Sequence, residues 1–236
     1  MKISSLLLLC SFIIINHSSA KDTSLHSKII SNDLYKVTYS QLYQQPLFII
    51  YDYGYPFRKK IPIIKLKPLY GIDEIIYPNA VKIIREFTRP IGVETSDDDD
   101  YTNNMYDKGD LMPINYFDNE KNENYLWSYL NCSLMHKTLK EGLWRILVDY
   151  EQSLHSDSLY KVDVEIIANF TNQSKKVNGG ATIPNSFTKI ITYSSDMFNK
   201  KEIIQEVYTF PNNNSVEGKK KEDFLDKNLS GNFIIH

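Results

Sequence analysis

One stretch limits the possible folds more than any other: "KTLKEGLWRILVDYEQSL", Lys137 to Leu154. Leu139, Leu143, Ile146, Leu147, Tyr150 and Leu154 recur at three- and four-residue steps, the period of an amphipathic helix. The spacing predicts one continuous helix with Leu139, Leu143, Trp144 and Leu147 in the core. Most other patterned segments read as strands. "SLYKVDVEIIANF" (Ser158–Phe170) places Tyr160, Val162, Val164 and Ile166 on one face, and "FTKIITYS" and "IIQEVYTF" read as further strands. "PLFIIYDYGYPF" (Pro46–Phe57) reads as a strand and turn, and "RKKIPIIKLKPL" (Arg58–Leu69) as a strand broken by prolines. "YLWSYLN" (Tyr125–Asn131) reads as a buried strand. "NAVKIIREF" (Asn79–Phe87) has helical spacing behind a cap at Asn79. The tail "KKKEDFLDKNLSGNFIIH" carries little pattern, and there is no internal repeat. Strands and helices without a regular strand–helix–strand period predict an α+β fold, with an antiparallel-rich central sheet flanked by helices.

The chain begins Met1-Lys2, and "LLLLCSFIII" (Leu6–Ile15) is an apolar run too short to span a bilayer. "SSA" puts Ser18 and Ala20 at the small positions of a cleavage site. Residues 1–20 predict a secretory signal peptide, with an uncleaved anchor as the alternative. Residues 21–236 then form a single secreted, extracellular domain large enough for a sizeable core. No later run reaches the length of a transmembrane helix.

Charge narrows the partners. The 27 Lys+Arg are outnumbered by 29 Asp+Glu. Basic runs occur only at "FRKK" (Phe57–Lys60) and "GKKKED" (Gly218–Asp223), which argues against an extended phosphate-backbone footprint. "ETSDDDDYTNN" (Glu94–Asn104) predicts an acidic surface loop. Calcium binding by Asp97–Asp100 is an alternative that lacks a glycine-spaced ligand loop. Cys10 leaves with the leader, so Cys132 has no intrachain partner. It is either a buried thiol or an intermolecular bridge. Asn169, Asn172, Asn213 and Asn228 open glycosylation sequons; Asn131 does too but is expected to be internal.

The segment "MYDKGDLMP" (Met105–Pro113) carries the functional question. With the strand readings around it and the Lys137–Leu154 helix behind it, the order is that of a ββα-metal finger. "YDKGDLMP" resembles the DRGH-x-x-P motif of the DNA/RNA non-specific endonucleases, which include bacterial secreted sugar-non-specific nucleases and mitochondrial endonuclease G. "PLFIIYDYG" is similar to the strand preceding the finger, and "DDDDYTNNMYDKG" to the approach to the motif. "LNCSLM" sits where the family has SN-x-x-PQ. "KEGLW" resembles its N-x-G-x-W helix start, "IPNSFTKII" its VP-x-x-F-x-K strand, and "YTFPNN" its late PN. The resemblance covers most of the chain after the leader.

The resemblance implies a His as general base and one Mg²⁺ held by an Asn at the helix start. It also implies an acidic residue two turns along the helix and a phosphate-gripping Arg one turn further. This sequence departs at each place. The motif Arg is Lys108, which keeps the charge and loses the bidentate fork. The base position is Asp110, whose carboxylate titrates about two to three units below imidazole. The metal-ligand position is Lys140, an ammonium that repels a cation and offers no lone pair while protonated. The acidic position is Val148, beside Asp149, and the phosphate position is Gln152. Asp107 and Gly109 remain in the motif, with Gly109 expected in a close turn. Asn131 matches a supporting Asn.

These substitutions predict an Asp110–Lys140 ion pair, direct or joined through one water, in place of the metal. His136 and His155 are expected at the surface. The reading is a secreted pseudonuclease, retained as a binding protein with no cofactor. One alternative is a divergent DNA/RNA endonuclease that uses Mg²⁺ through Asp110, with Asp149 as a second carboxylate. Another is a nucleic-acid-binding module that does not cut. Nucleic acid is the partner class the resemblance offers, and fold alone names no other.

Overall fold

The computed structural model describes residues 27–53, 64–65, 73–76, 83–85, 87–114, 123–158, 161–197 and 200–235. The expected leader and most of Arg58–Leu69 lie outside them. The chain opens with β1 (Ser27–Ser31), β2 (Tyr35–Ser40) and β3 (Gln45–Asp52). A small antiparallel sheet follows: β4 (Ile64–Lys65), β5 (Asp73–Ile76) and β6 (Ile83–Arg85). Then come β7 (Tyr106–Asp110) and β8 (Cys132–His136), an antiparallel pair of their own. The last strands are β9 (Val162–Asn169), β10 (Ser186–Met197), β11 (Lys200–Pro211) and β12 (Gly231–Ile235). The main sheet has the order β1-β2-β3-β9-β10-β11-β12, antiparallel throughout. An antiparallel-rich central sheet is therefore observed.

Alternation explains the centre of this sheet. Val162, Val164, Ile166 and Ala168 of β9 are buried, while the residues between them are half-exposed. Each large apolar side chain buried this way contributes roughly 1.5–3 kcal/mol. Among the described residues the α-helices are α1 (Glu123–Leu126), α2 (Lys137–Leu139) and α3 (Arg145–Ser158). Helix α3 lies on the sheet, because its Glu151 bonds to Lys189 of β10 and Tyr51 of β3.

Several expectations change. The Lys137–Leu154 helix is not continuous: a π-helical turn, Lys140–Trp144, joins α2 to α3, with Gly142 at φ −98° and ψ −108°. Leu139, Leu143, Trp144 and Leu147 are buried as expected. Beyond Leu147 the buried positions are Glu151 and His155; Ile146 is 50% exposed, and Tyr150 and Leu154 are half-buried. Within Asn79–Phe87 the described residues are not helical: Ile83–Arg85 pairs with β5, as suits adjacent β-branched residues. Tyr125–Asn131 is not a strand. It contains the end of α1 and a 3-10 turn, Tyr129–Asn131, whose start is capped by the Ser128 hydroxyl accepting from Leu130 N at 3.2 Å.

The acidic loop is also built rather than open. Asp97 caps a 3-10 turn, Asp98–Tyr101, in which Asp100 is buried. The Asp100 carboxylate accepts from Asp97 N at 2.9 Å and Ala181 N at 3.0 Å, so it serves the backbone. Cys132 is buried, against the intermolecular alternative, and burial pushes its thiol up to about 12. Among the sequons, Asn131 is internal as expected, and Asn172, Asn213 and Asn228 are exposed. Asn169 is a poor acceptor of a glycan: its half-buried amide donates to the Ser186 and Thr188 hydroxyls at 3.1 and 3.0 Å.

Candidate functional site

The β7–β8 register decides which motif residues meet. Tyr106 faces His136, Lys108 faces Leu134, and Asp110 faces Cys132. Period-two alternation puts these six side chains on one face, with Asp107 and Gly109 on the other. Gly109 lies inside the strand, not in the expected turn. A Cβ there would come 2.5 Å from Met135 Cβ, so close packing excludes a side chain. Asp107 is half-exposed and lies 3.9 Å from the Lys137 ammonium.

Asn131 fixes the chain as it leaves β7. Its carbonyl oxygen accepts from Met112 N at 2.7 Å, and its amide donates to Met112 O at 3.0 Å and Leu126 O at 3.2 Å. The residue is fully buried, so these bonds form in a low-dielectric interior. The supporting place given to Asn131 is therefore structural.

Lys108 is held rather than presented. Its side chain is only 12% exposed and pairs with Asp98 of the acidic turn. Its ammonium also lies 4.7 Å from the centroid of Phe87, 5.5 Å from Tyr129 and 5.9 Å from Tyr101. Such ring faces attract a cation through their quadrupoles. The same Asp98 oxygen accepts the Tyr129 hydroxyl at 2.7 Å. Partial burial works against the Asp98 charge, but the bonds from Lys108 and Tyr129 prevail and hold its carboxyl below the ordinary value. Beside it Arg89 pairs with Asp97. Phe87, Arg89, Asp97, Asp98, Asp99 and Tyr129 line an open pocket of about 310 Å³.

Asp110 and Lys140 share a neighbourhood. Lys140 favours and Asp110 opposes ionisation of the Cys132 thiol, after the larger effect of its burial. A direct ion pair is nevertheless not formed: among the described residues, no contact within 4.0 Å joins the two charges. Lys140 stands at the start of the π turn. The helix reaches the motif through another group, because Trp144 Nε1 donates to the Asp110 carbonyl at 3.1 Å. Farther along, Val148 and Gln152 are half-buried and Asp149 is exposed.

Both histidines expected at the surface are buried. His136 starts α2, with Nδ1 accepting from Thr138 N at 3.3 Å, and stands edge-on to Tyr106 at 5.8 Å. Burial, reinforced by the Lys137 charge, pushes its pKa below the ordinary imidazole value. His155 packs on Tyr53 with ring centroids 5.4 Å apart.

A wholly buried polar cluster escaped the sequence reading. Lys189 and Glu151, both wholly buried, pair at 3.0 Å. Tyr51 donates to the same carboxylate at 3.2 Å. The Trp144 ring centroid lies 4.4 Å from the Lys189 ammonium. Burial pushes the Glu151 carboxyl up and the Lys189 ammonium down, each opposed by the partner charge. A signal was available: Lys189 occupies an inward position in the alternation of Phe187, Ile191 and Tyr193.

Comparison with known proteins bears on this fold. The sequence matches no protein-family model and no curated protein. Among solved structures, the chain is similar to one in the "Crystal structure of the EndoG/EndoGI complex: Mechanism of EndoG inhibition". The TM-score is 0.59 at 14% identity, covering 84% of this chain and 79% of that one. At that identity the likeness concerns the fold alone.

Proposed function

We propose that this protein is a nuclease-fold binding protein that no longer hydrolyses phosphodiester bonds. The carrying observation is the condition of the motif cation: Lys108 is enclosed by Asp98 and three rings. The donor set supports the same reading. The positions the resemblance assigns to base, metal ligand and acid hold a carboxylate, an ammonium and an isopropyl group. The ammonium of Lys140 offers Mg²⁺ no lone pair while protonated and repels it, so this donor set does not fit the metal. The leader-like residues 1–20 support export, and exposed sequons at Asn172, Asn213 and Asn228 fit an exported chain.

The test is digestion of plasmid DNA and RNA by the purified protein with Mg²⁺, Mn²⁺ or chelator. No chelator-sensitive cleavage is expected. Asp110→His alone should also remain inactive, because Lys140 still occupies the ligand position and base and metal act on one transition state. Chelator-sensitive cleavage by the unmodified protein, abolished in Asp110→Ala, would establish the divergent endonuclease instead. One observation favours that second reading: among the described residues no ion pair engages the Asp110 carboxylate.

A further inference from the structure

We propose that Asn172 carries an N-linked glycan whose first sugar, an N-acetylglucosamine, folds back into a pocket of this chain. The proposal rests on the export reading above and is independent of the loss of hydrolysis. The sequon is Asn172-Gln173-Ser174, and a pocket of about 220 Å³ opens beside it, with Thr171, Asn172 and Ser174 in its rim. That volume is below the size of a cofactor cleft and suits one pyranose ring with its acetamido group. Leu42 and Tyr43, from the β2–β3 connection, and Thr182 form the other side, with Lys176 between. Leu42 is 45% exposed, a large apolar side chain left uncovered. Tyr43 is fixed by stacking on Phe170, with ring centroids 4.5 Å apart. Thr182 is 3% exposed, and its hydroxyl has no hydrogen-bond partner among the described residues. A buried polar group left unpaired is unfavourable, so a ligand that pairs it gains. The pocket thus asks for apolar cover and a hydrogen bond, with little charge. An N-acetyl sugar brings a methyl group, C–H faces, an amide and hydroxyls, and no net charge.

The acceptor is open while the turn around it is built. Asn172 is exposed, and no hydrogen bond among the described residues engages its side chain. Ser174 N donates to Thr171 O at 3.0 Å, Gln173 N donates to Thr171 Oγ1 at 3.2 Å, and the Ser174 hydroxyl donates to Asn185. The hydroxyl that defines the sequon is therefore engaged in the folded chain, and sugar transfer precedes closure of this turn. In that step Asn172 Nδ2 bonds to the anomeric carbon of the sugar. The bond from that carbon to the pyrophosphate of a lipid-linked oligosaccharide breaks, the lipid pyrophosphate leaves, and the amide proton passes to a base of the secretory transferase. The other two exposed sequons differ: neither Asn213 nor Asn228 borders this pocket, and Asn213 uses its side-chain oxygen to accept from Ser215 N at 2.8 Å. A seated sugar also covers a reporter, because Thr182 N donates to Tyr43 O at 2.8 Å between two lining residues.

The test expresses the full chain in cultured animal cells and maps the secreted protein by mass spectrometry. Asn172 should be occupied. Release of its glycan by an N-glycan amidase should be roughly fourfold slower than at Asn213 or Asn228 in the native protein, the worth of one buried methyl group, and equally fast after denaturation. Hydrogen exchange at the Thr182 amide should be slower by about the same factor than in Asn172→Gln. If that variant does not fold, the enzymatically released protein is the reference. An empty Asn172 in the secreted protein overturns the proposal. Unchanged Thr182 exchange overturns it too, since the sugar then stands in solvent. Failure of residues 1–20 to export the chain overturns the leader reading alone, because the same chain behind a proven secretory leader still decides Asn172. Cleavage of plasmid DNA by the glycosylated protein overturns only the non-hydrolytic reading.

Discussion

Two lysine–carboxylate pairs lie near the motif strand, and they differ in their contact with water. Lys189–Glu151 is wholly enclosed between α3 and the sheet. Lys108–Asp98 has one enclosed partner and one open partner, with exposures of 12% and 78%. Both cations also face aromatic rings, Trp144 in the first case and Phe87, Tyr101 and Tyr129 in the second. The chemistry is nearly the same and the solvation is not. A pair closed to water fixes an element, since neither charge can be left alone. A pair with one open partner can exchange that partner, because water receives the displaced carboxylate at little cost.

The strongest way to break this comparison is to remove one charge from the closed pair. Glu151→Gln leaves an ammonium buried with reduced compensation and should cost about 3–5 kcal/mol of unfolding free energy. Replacing both partners, Glu151→Leu with Lys189→Met, should recover most of that loss, because no charge is then left stranded. Denaturant unfolding of the three proteins checks this. A double variant as unstable as the single one would mean that shape, not charge, holds α3 in place.

Gly109 gives the next largest effect. It pins β7 from the face opposite Lys108, where a Cβ would stand 2.5 Å from Met135 Cβ. Gly109→Ala should destabilise by about 1–3 kcal/mol through overpacking. It should also loosen the caged lysine on the other face, visible as faster hydrogen exchange across β7. Exchange confined to Met135 and its neighbours would show that the two faces are independent.

The sequence reveals these regions unequally, and the reasons are physical. Strands β9 to β11 are legible because period-two alternation coincides with burial on one face. β1 and β12 are short edge strands whose pairing with β2 and β11 supplies what local pattern does not. The helix phase is misread after Leu147, because counting apolar residues treats Glu151 and His155 as outward. Their burial depends on partners far away in the chain, Lys189 and Tyr53. The motif Lys108 is legible, but its confinement is not, since Phe87, Asp98 and Tyr129 come from three separate segments. The resemblance placed Asp110 and Lys140 near one another, and both act on Cys132. It also led to an expected ion pair, whose direct form is absent among the described residues because side-chain direction is not legible from matched positions.

Acidification offers a probe of the β8–α2 junction. His136 Nδ1 accepts the Thr138 amide, so protonation would remove the cap. Its folded pKa lies below the ordinary 6.5, so the folded state binds fewer protons than the unfolded state there. That stability is complete above pH 6.5 and is lost as pH falls through the window from 6.5 down to the folded value. The loss should reach about 1 kcal/mol, the usual worth of a cap. His136→Gln should flatten the dependence of the melting temperature on pH in this range. An unchanged slope would assign the titration elsewhere.

The smallest expected effect sharpens the comparison most. A double-mutant cycle with Lys108→Met and Asp98→Asn should give a coupling of about 1 kcal/mol or less at physiological salt, because water competes for the open carboxylate. Raising the salt should shrink it further, since the Debye length falls from about 8 Å at physiological ionic strength to about 3 Å at 1 M. The Lys189–Glu151 cycle should be nearly insensitive to the same change, as ions do not enter an interior with no exposed surface on either partner. Lys108→Met alone should cost more than Asp98→Asn alone: the lysine also loses three ring contacts, whereas the aspartate mainly returns to solvent. Equal single costs, together with a coupling that ignores salt, would mean that Asp98 is held as firmly as Glu151. The open pair would then be a second structural clamp.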